Sequence, residues 1–412
     1  MLSTRGQKSA ASQDIRWRFA PGGNNRYDKV TNPRGVVPFG TAENCLMHKE
    51  LKEFVAQNVK IPSVAFTYRF STAGGPRFSI ALAAHVNEYF HPFSPIKAED
   101  TITASGLTAI HAMLGYSLGD PGDAILVARP IYGRFELDFG NTAGLEIVYA
   151  DVAGADPFEE EAVGAYEHAL AEASSRGVNV KAVLIVNPNN PLGRCYPSAT
   201  LRQIMSFCQK HDLHLISDEV YALSVYPTSE PDPTPFTSVL TLDSSSLIDQ
   251  DKLHVLYGMS KDFAAAGLRL GTLISRNKLL LKSLAANIRF HNPSGMSVAI
   301  GTAILEDRTF VKSFLEMSRA RLAGAREYAV DCLQAAGVKI ASGGNAGFFL
   351  YIDLSPWLPH GLEGKEREYA LAQRLLDGGV GLHPCEEHNE KPGWFRLVFS
   401  LERELLFEGL KR

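Results

Sequence analysis

Cysteine is scarce and scattered. Cys45, Cys195, Cys208, Cys332 and Cys385 are an odd number, with no Cys-x-x-Cys pair and no clustered histidines, which argues against a disulfide framework and against a zinc site. Basic blocks are missing as well. With 41 Lys and Arg against 45 Asp and Glu, the formal net charge is −4, so nucleic acid and anionic membrane surfaces are not expected partners and a small molecule is. No apolar run is long enough to span a bilayer. Met1 to Arg5 lead into polar sequence and not into the apolar segment of a secretion signal, so a reducing, cytoplasmic setting is expected. Internal repeats and low-complexity tracts are also absent. What remains is 412 residues of ordinary globular composition, 45% hydrophobic, ample for a large core and for more than one domain-sized unit.

Residues up to about Arg34 are rich in Gly, Asn, Arg and Pro, as in Pro21-Gly22-Gly23-Asn24-Asn25, and lack periodicity. They read as an extended arm that either stays disordered or packs on another subunit, with Trp17, Phe19 and Tyr27 as side chains to bury, so a homodimer is expected. Val36 to Gly40 reads as a short strand, and Asn44 to Gln57 as an amphipathic helix with Leu46, Leu51, Phe54 and Val55 as its apolar set. From about Phe66 strands and helices alternate. Strands are expected at Thr101 to Ala104, Ala124 to Ala128, Leu145 to Ala150, Ala182 to Asn187, Leu213 to Ser217, Leu253 to Tyr257 and Leu270 to Ser275. Helical patterns lie at Ser79 to Phe90, Thr108 to Ser117, Glu159 to Ser175 and Ser198 to His211. This order implies an α/β fold, with a mostly parallel sheet flanked by helices. Pro227 to Ser246, crowded with Pro, Ser, Thr and Asp, reads as a surface excursion.

After about Thr309 a long helical pattern runs through Arg319 to Ala336, and strands at Gly347 to Asp353 and Trp394 to Ser400 flank a helix at Glu366 to Asp377. This suits a smaller α+β domain built from both chain ends. The expected division is 1–65 for the arm and the first part of the small domain, 66–308 for the large domain, and 309–412 for the rest of the small domain.

Open sheets of this kind bind ligands beyond the carboxyl ends of their strands, and the residue types there are informative. Ser105-Gly106-Leu107-Thr108 follows the first strand, Pro130-Ile131-Tyr132 another, then Asn187-Pro188-Asn189-Asn190-Pro191-Leu192-Gly193, Asp218-Glu219-Val220-Tyr221 and Gly258-Met259-Ser260-Lys261-Asp262. Lys261 alone is as well read as a surface lysine. Together the ends supply an amine able to trap a carbonyl, a carboxylate, amides, a flat ring and a helix start suited to phosphate. That inventory suits pyridoxal 5'-phosphate.

These motifs, with Ala266-Gly267-Leu268-Arg269-Leu270-Gly271 and Trp394-Phe395-Arg396, resemble the fold-type I pyridoxal-phosphate enzymes of the class I/II aminotransferase group. Within it the sequence is most similar to 1-aminocyclopropane-1-carboxylate synthase and its fungal synthase-like relatives, from about Tyr27 to Ser400. The resemblance implies Lys261 as the Schiff-base lysine that then moves the α-proton. It implies Asp218 as partner of the protonated pyridine nitrogen, Asn190 and Tyr221 on the ring oxygen, and Tyr132 stacked on the ring. For the phosphate it implies the amides of Leu107 and Thr108, the Thr108 and Ser260 hydroxyls, and Arg269. Arg396 would clamp the carboxylate of an amino acid substrate. Taken singly, Asp218 could be a helix cap and Asn190 a turn residue.

Gly40-Thr41-Ala42-Glu43-Asn44 resembles the synthase motif around a glutamate near the substrate, so Glu43 would face the reacting side chain, with a capping role as the plainer alternative. The family tyrosine before a Gly-x-Pro-x-Phe run, contributed by the neighbouring subunit, falls at Thr72. The expected reaction is therefore cleavage of a carbon–sulfur bond of an α-amino acid, by β-elimination or by α,γ-elimination as in the synthase. An aminotransferase is the first alternative, and a non-catalytic relative that binds the cofactor or a partner protein is another.

Overall fold

The computed structural model describes residues 1–14, 16–17, 25–152, 156–384 and 392–412; Phe19, Pro21 to Asn24 and Cys385 lie outside them. The strands in chain order are β1 Val37–Pro38, β2 Thr101–Ala104, β3 Ala124–Ala128, β4 Glu146–Ala150, β5 Val180–Val186 and β6 His214–Asp218. They continue as β7 Leu253–Gly258, β8 Gly271–Ser275, β9 Lys339–Ile340, β10 Phe349–Asp353, β11 Val380–Gly381 and β12 Trp394–Val398. The main sheet has seven strands in the order β2-β8-β7-β6-β5-β3-β4. Neighbours from β7 to β4 are parallel, whereas β8 pairs antiparallel with both β2 and β7. The sheet is thus mostly parallel, as expected, with one strand reversed.

Every residue of β3, β7 and β8 is buried, because helices cover both faces of this sheet; such strands read as continuous apolar runs. One face packs Leu126, Val183, Leu215 and Val255 into one core, while the other packs Ile125, Leu184, Ile216 and Leu256 into a second. A third core joins Val37 and Phe39 near the start of the chain to Leu350, Phe395 and Leu406 near its end. Helix Arg308–Ala335 spans about 42 Å at 1.5 Å per residue. Its Val311, Phe314 and Leu315 enter the first core and its Leu322, Ala329 and Leu333 the third.

The structure departs from the expected arm. Thr4–Ala11 is helical, started by Ser3, whose Oγ accepts from Gly6 N at 3.1 Å. Trp17 and Tyr27 pack on the third core of their own chain, so the chain itself supplies the apolar surface that these rings need. The Pro227 to Ser246 segment lacks strands and is mostly exposed or half-buried, as expected of a surface excursion, but it is pinned at Ser238 and Val239, where the buried Glu219 carboxylate accepts from Ser238 Oγ at 2.5 Å and Val239 N at 2.9 Å.

Candidate active site

The carboxyl ends of β2, β3, β5, β6 and β7 open on one cavity of about 270 Å³, just below the roughly 300 Å³ at which small-molecule clefts begin. Because β8 runs in the opposite direction, it brings its amino end there, and Arg269 just before it. Leu107, Thr108, Tyr132, Asn190, Asp218, Tyr221, Ser260, Lys261, Arg269 and Arg396 all line the cavity. Glu43 and Thr72 do not.

One corner is built to hold an anion. Helix Leu107–Leu118 starts after Gly106 with no side chain capping it, and the first N–H groups of a helix have no carbonyl within it. Gly106 has φ +93°, and a Cβ there would lie 2.2 Å from Arg269 Nη2. A Cβ on Gly271 would come within 2.4 Å of Leu107 N. The two glycines therefore let a guanidinium and a strand close directly on the helix start. Arg269 itself has φ +52°, a left-handed backbone held by its turn, and donates from Nη1 to Ala266 O at 3.1 Å.

Lys261 is the amine of the site. Burial, then the positive Arg396, lowers its ammonium to about 8, while Glu43 and Asp218 oppose the shift. Its Nζ donates to Ala42 O at 2.6 Å and stands 5.5 Å from the centre of the Tyr221 ring. The Tyr221 ring meets Phe348 and Phe349 edge-on at 5.3 and 5.4 Å, which fixes it, and burial raises its phenol. The next residue in sequence, Asp262, turns away into the protein and accepts from Ser224 Oγ at 2.6 Å and Leu223 N at 3.0 Å. It anchors the turn that presents Lys261.

Asp218 closes β6, accepts from Val220 N at 3.2 Å, and is raised by burial against the pull of His111, that bond and Lys261. On the opposite wall Arg396 is 5% exposed. It donates from Nη1 to Asn190 Oδ1 at 2.8 Å and from Nη2 to Gly40 O at 2.9 Å, and its Cζ lies 5.5 Å from the Phe349 ring centre. It arrives through β12, paired with β10 so that Arg396 stands opposite Tyr351. The carbonyls of the Gly40 to Ala42 segment thus hold both cationic side chains of the open end.

Glu43 is half-buried, its backbone carbonyl accepting from Ser400 Oγ at 2.6 Å. It is close enough for its charge to act on Lys261. Thr72 is exposed in a short turn, and its hydroxyl points to Tyr68 O at 3.5 Å. His111, Arg134 and Asp138 also line the cavity and were missed by the reading of the sequence. His111 follows Thr108 by one helical turn, a spacing that places both on one face and could have pointed to it.

A phosphorylated aldehyde with a basic ring nitrogen needs an anion cradle, an amine and a carboxylate, and the cavity offers each. The model of the family described as aminotransferase class I and II matches residues 34–412. The human "1-aminocyclopropane-1-carboxylate synthase-like protein 1" is 34% identical over 94% of this chain and 77% of its own. The "1-aminocyclopropane-1-carboxylate synthase 6" of Oryza sativa subsp. japonica is 31% identical over 91% of this chain and 71% of its own. Among solved structures, an aromatic aminotransferase of Pyrococcus horikoshii matches with a TM-score of 0.75 at 18% identity, over 93% of this chain and 95% of the other. An aspartate aminotransferase mutant of Thermus thermophilus matches with a TM-score of 0.72 at 22% identity, over 100% and 98%. Both show the same fold.

Proposed function

The chain belongs to the aminotransferase class I and II family, and from that premise we propose that it is a lyase that cleaves a carbon–sulfur bond of an α-amino acid. It is a pyridoxal-phosphate enzyme with the fold of that family. When bound, pyridoxal phosphate supplies an electron sink that makes the α-proton of an attached amino acid acidic.

The residues of the cavity divide the remaining work. Leu107 N, Thr108 N and Oγ1, Ser260 Oγ and Arg269 would hold the phosphate, where a dianion needs several donors and a fixed cation. Asp218 would hold the ring-nitrogen proton, Asn190 and Tyr221 would donate to the ring oxygen, and Tyr132 would cover a ring face, since all four line the cavity. Lys261 Nζ, lowered to about 8, is about a tenth neutral at pH 7, so it would hold the cofactor carbonyl and serve as the base for the Cα proton. Arg396 binds the substrate carboxylate and thereby turns the Cα–H bond toward Lys261. Removal of that proton would leave the electron pair that expels the sulfur substituent.

The observation that carries the lyase reading is Glu43. It lies outside the cavity lining of its own chain but follows the Gly40 to Ala42 wall directly, half-buried and close enough for its charge to act on Lys261. Relatives named as 1-aminocyclopropane-1-carboxylate synthases, enzymes that by their name make a cyclopropane amino acid, support it. Exposed Val64, Phe66 and Tyr68 beside Thr72 support a homodimer in which the second subunit completes the substrate wall. Among the described residues no helix is long and apolar enough to cross a membrane.

Thr72 favours a second reading, since a small hydroxyl stands where the synthase resemblance expects an aromatic ring. In that reading the enzyme is an aminotransferase. Incubation with S-alkylcysteines, S-adenosylmethionine and common amino acids separates the two. The lyase releases a sulfur compound with ammonia and an oxo acid, or with a cyclopropane amino acid, and turns over repeatedly. Stoichiometric pyridoxamine phosphate and oxo acid, without sulfur release, would establish the aminotransferase instead.

A further inference from the structure

The helix that starts at the anion cradle carries one more polar side chain toward the cavity. His111 is 3% exposed. Its Nδ1 lies 2.9 Å from Asp138 Oδ2, on helix Phe135–Ala143. Among the described residues its buried Nε2 has no hydrogen-bond partner, and Asp218 Oδ2 stands 3.8 Å from it, within ion-pair reach. Phe135 and Phe139 wall the ring at 5.2 and 5.4 Å between centroids. One imidazole therefore sits between two buried carboxylates.

The protonation of the ring decides whether this arrangement attracts or repels. A neutral ring has one N–H. If that N–H goes to Asp138, a lone pair faces Asp218, and two negative ends oppose each other where little water screens them. The doubly protonated ring donates toward both carboxylates. Burial works against an ionised Asp218, and His111 is the foremost group that counteracts it, ahead of Lys261 from the turn after β7. Asp138 from helix Phe135–Ala143 acts the other way, and Tyr221 and Glu219 are further titratable groups that feel the Asp218 carboxylate.

We propose that His111 is a positioning residue for Asp218: an imidazolium tethered by Asp138, it keeps the buried Asp218 carboxylate ionised and aimed at the ring-nitrogen position. The proposal rests on the role given above to Asp218. It acts through that residue alone, so its effect depends on whether the ligand has a ring nitrogen.

The test compares binding of pyridoxal phosphate and of deazapyridoxal phosphate, in which carbon replaces that nitrogen, to the full apo chain. His111→Phe weakens pyridoxal phosphate by about tenfold and the deaza analogue by less than about twofold, and Asp138→Asn has the same selectivity at smaller size. Equal losses for both ligands would make His111 a packing residue and overturn the proposal, as would no loss for either. Should the variants fail to fold, ¹⁵N imidazole spectra of the unaltered chain decide. Protons on both ring nitrogens of a buried histidine near neutral pH are expected, and a singly protonated His111 overturns the proposal. Failure of the unaltered chain to take up either ligand would instead sink the cofactor site itself.

Discussion

Replacing Gly106 with alanine isolates the anion cradle from the rest of the site. The new Cβ would lie 2.2 Å from Arg269 Nη2 and 2.7 Å from its Cζ. Because those atoms end a flexible side chain, the guanidinium moves and the helix start stays. Backbone strain adds to this, since φ +93° with ψ 168° belongs to a region that is nearly glycine-only, at a cost of about 1–3 kcal/mol in stability. The loss of a charge-assisted contact to phosphate costs about 1.5–3 kcal/mol, which is about tenfold to about a hundredfold in affinity. The assay is spectroscopic titration of the apo chain with pyridoxal phosphate and, separately, with pyridoxal, which has no phosphate. Gly106→Ala weakens the first by that factor and the second by less than about twofold. In an Arg269→Ala background the same substitution has little further effect, because both act on one group. Equal weakening of both ligands, or an undiminished effect without Arg269, would refute the reasoning.

Three other outcomes test different parts of the site. The rate at which the apo chain captures cofactor rises about tenfold per pH unit below the lowered Lys261 value of about 8 and levels off above it; a stopped-flow series that stays rising to the ordinary lysine range contradicts the burial of that amine. The sign for stability is the same: between about 8 and the ordinary lysine value the unfolded chain binds the extra proton, so this group makes the fold more stable as pH rises. Arg396→Lys loses the two-pronged grip on the substrate carboxylate and raises KM about tenfold to a hundredfold, while titration finds cofactor affinity unchanged; a fall in cofactor affinity of the same size would place Arg396 in the wrong role. Glu43→Gln slows sulfur release at least about tenfold but leaves exchange of the α-proton in deuterated water intact. If both fall together, Glu43 serves binding and not the leaving group.

The main sheet was legible because its strands are buried on both faces and so read as unbroken apolar runs between glycine- and proline-marked turns. Their carboxyl ends told where the ligand would sit, which is why Lys261 and Asp218 stood out, whereas Arg269 and Arg396 were named by the resemblance. Helix Phe135–Ala143 was not, since its Gly140, Asn141 and Thr142 are poor helix formers and it forms by packing Phe135 and Phe139 on the sheet. With that helix went Asp138, and with Asp138 the reason to single out His111. The arm was misread for a similar cause: Trp17 and Tyr27 need an apolar surface, but composition could not say that the same chain provides it. Glu43 and Thr72 were named by resemblance to a motif, and geometry separates them. Neither lines the cavity of its own chain, but Glu43 is near enough for its charge to reach Lys261, whereas Thr72 is exposed in a short turn.

The account turns on one atom, Lys261 Nζ. Borohydride reduction of the loaded chain, followed by proteolysis and mass spectrometry, tests it directly. The expected result is a single pyridoxyl modification, on the peptide that contains Lys261, which Lys261→Ala abolishes. Modification of any other lysine, or none in a chain that has taken up cofactor, would contradict it.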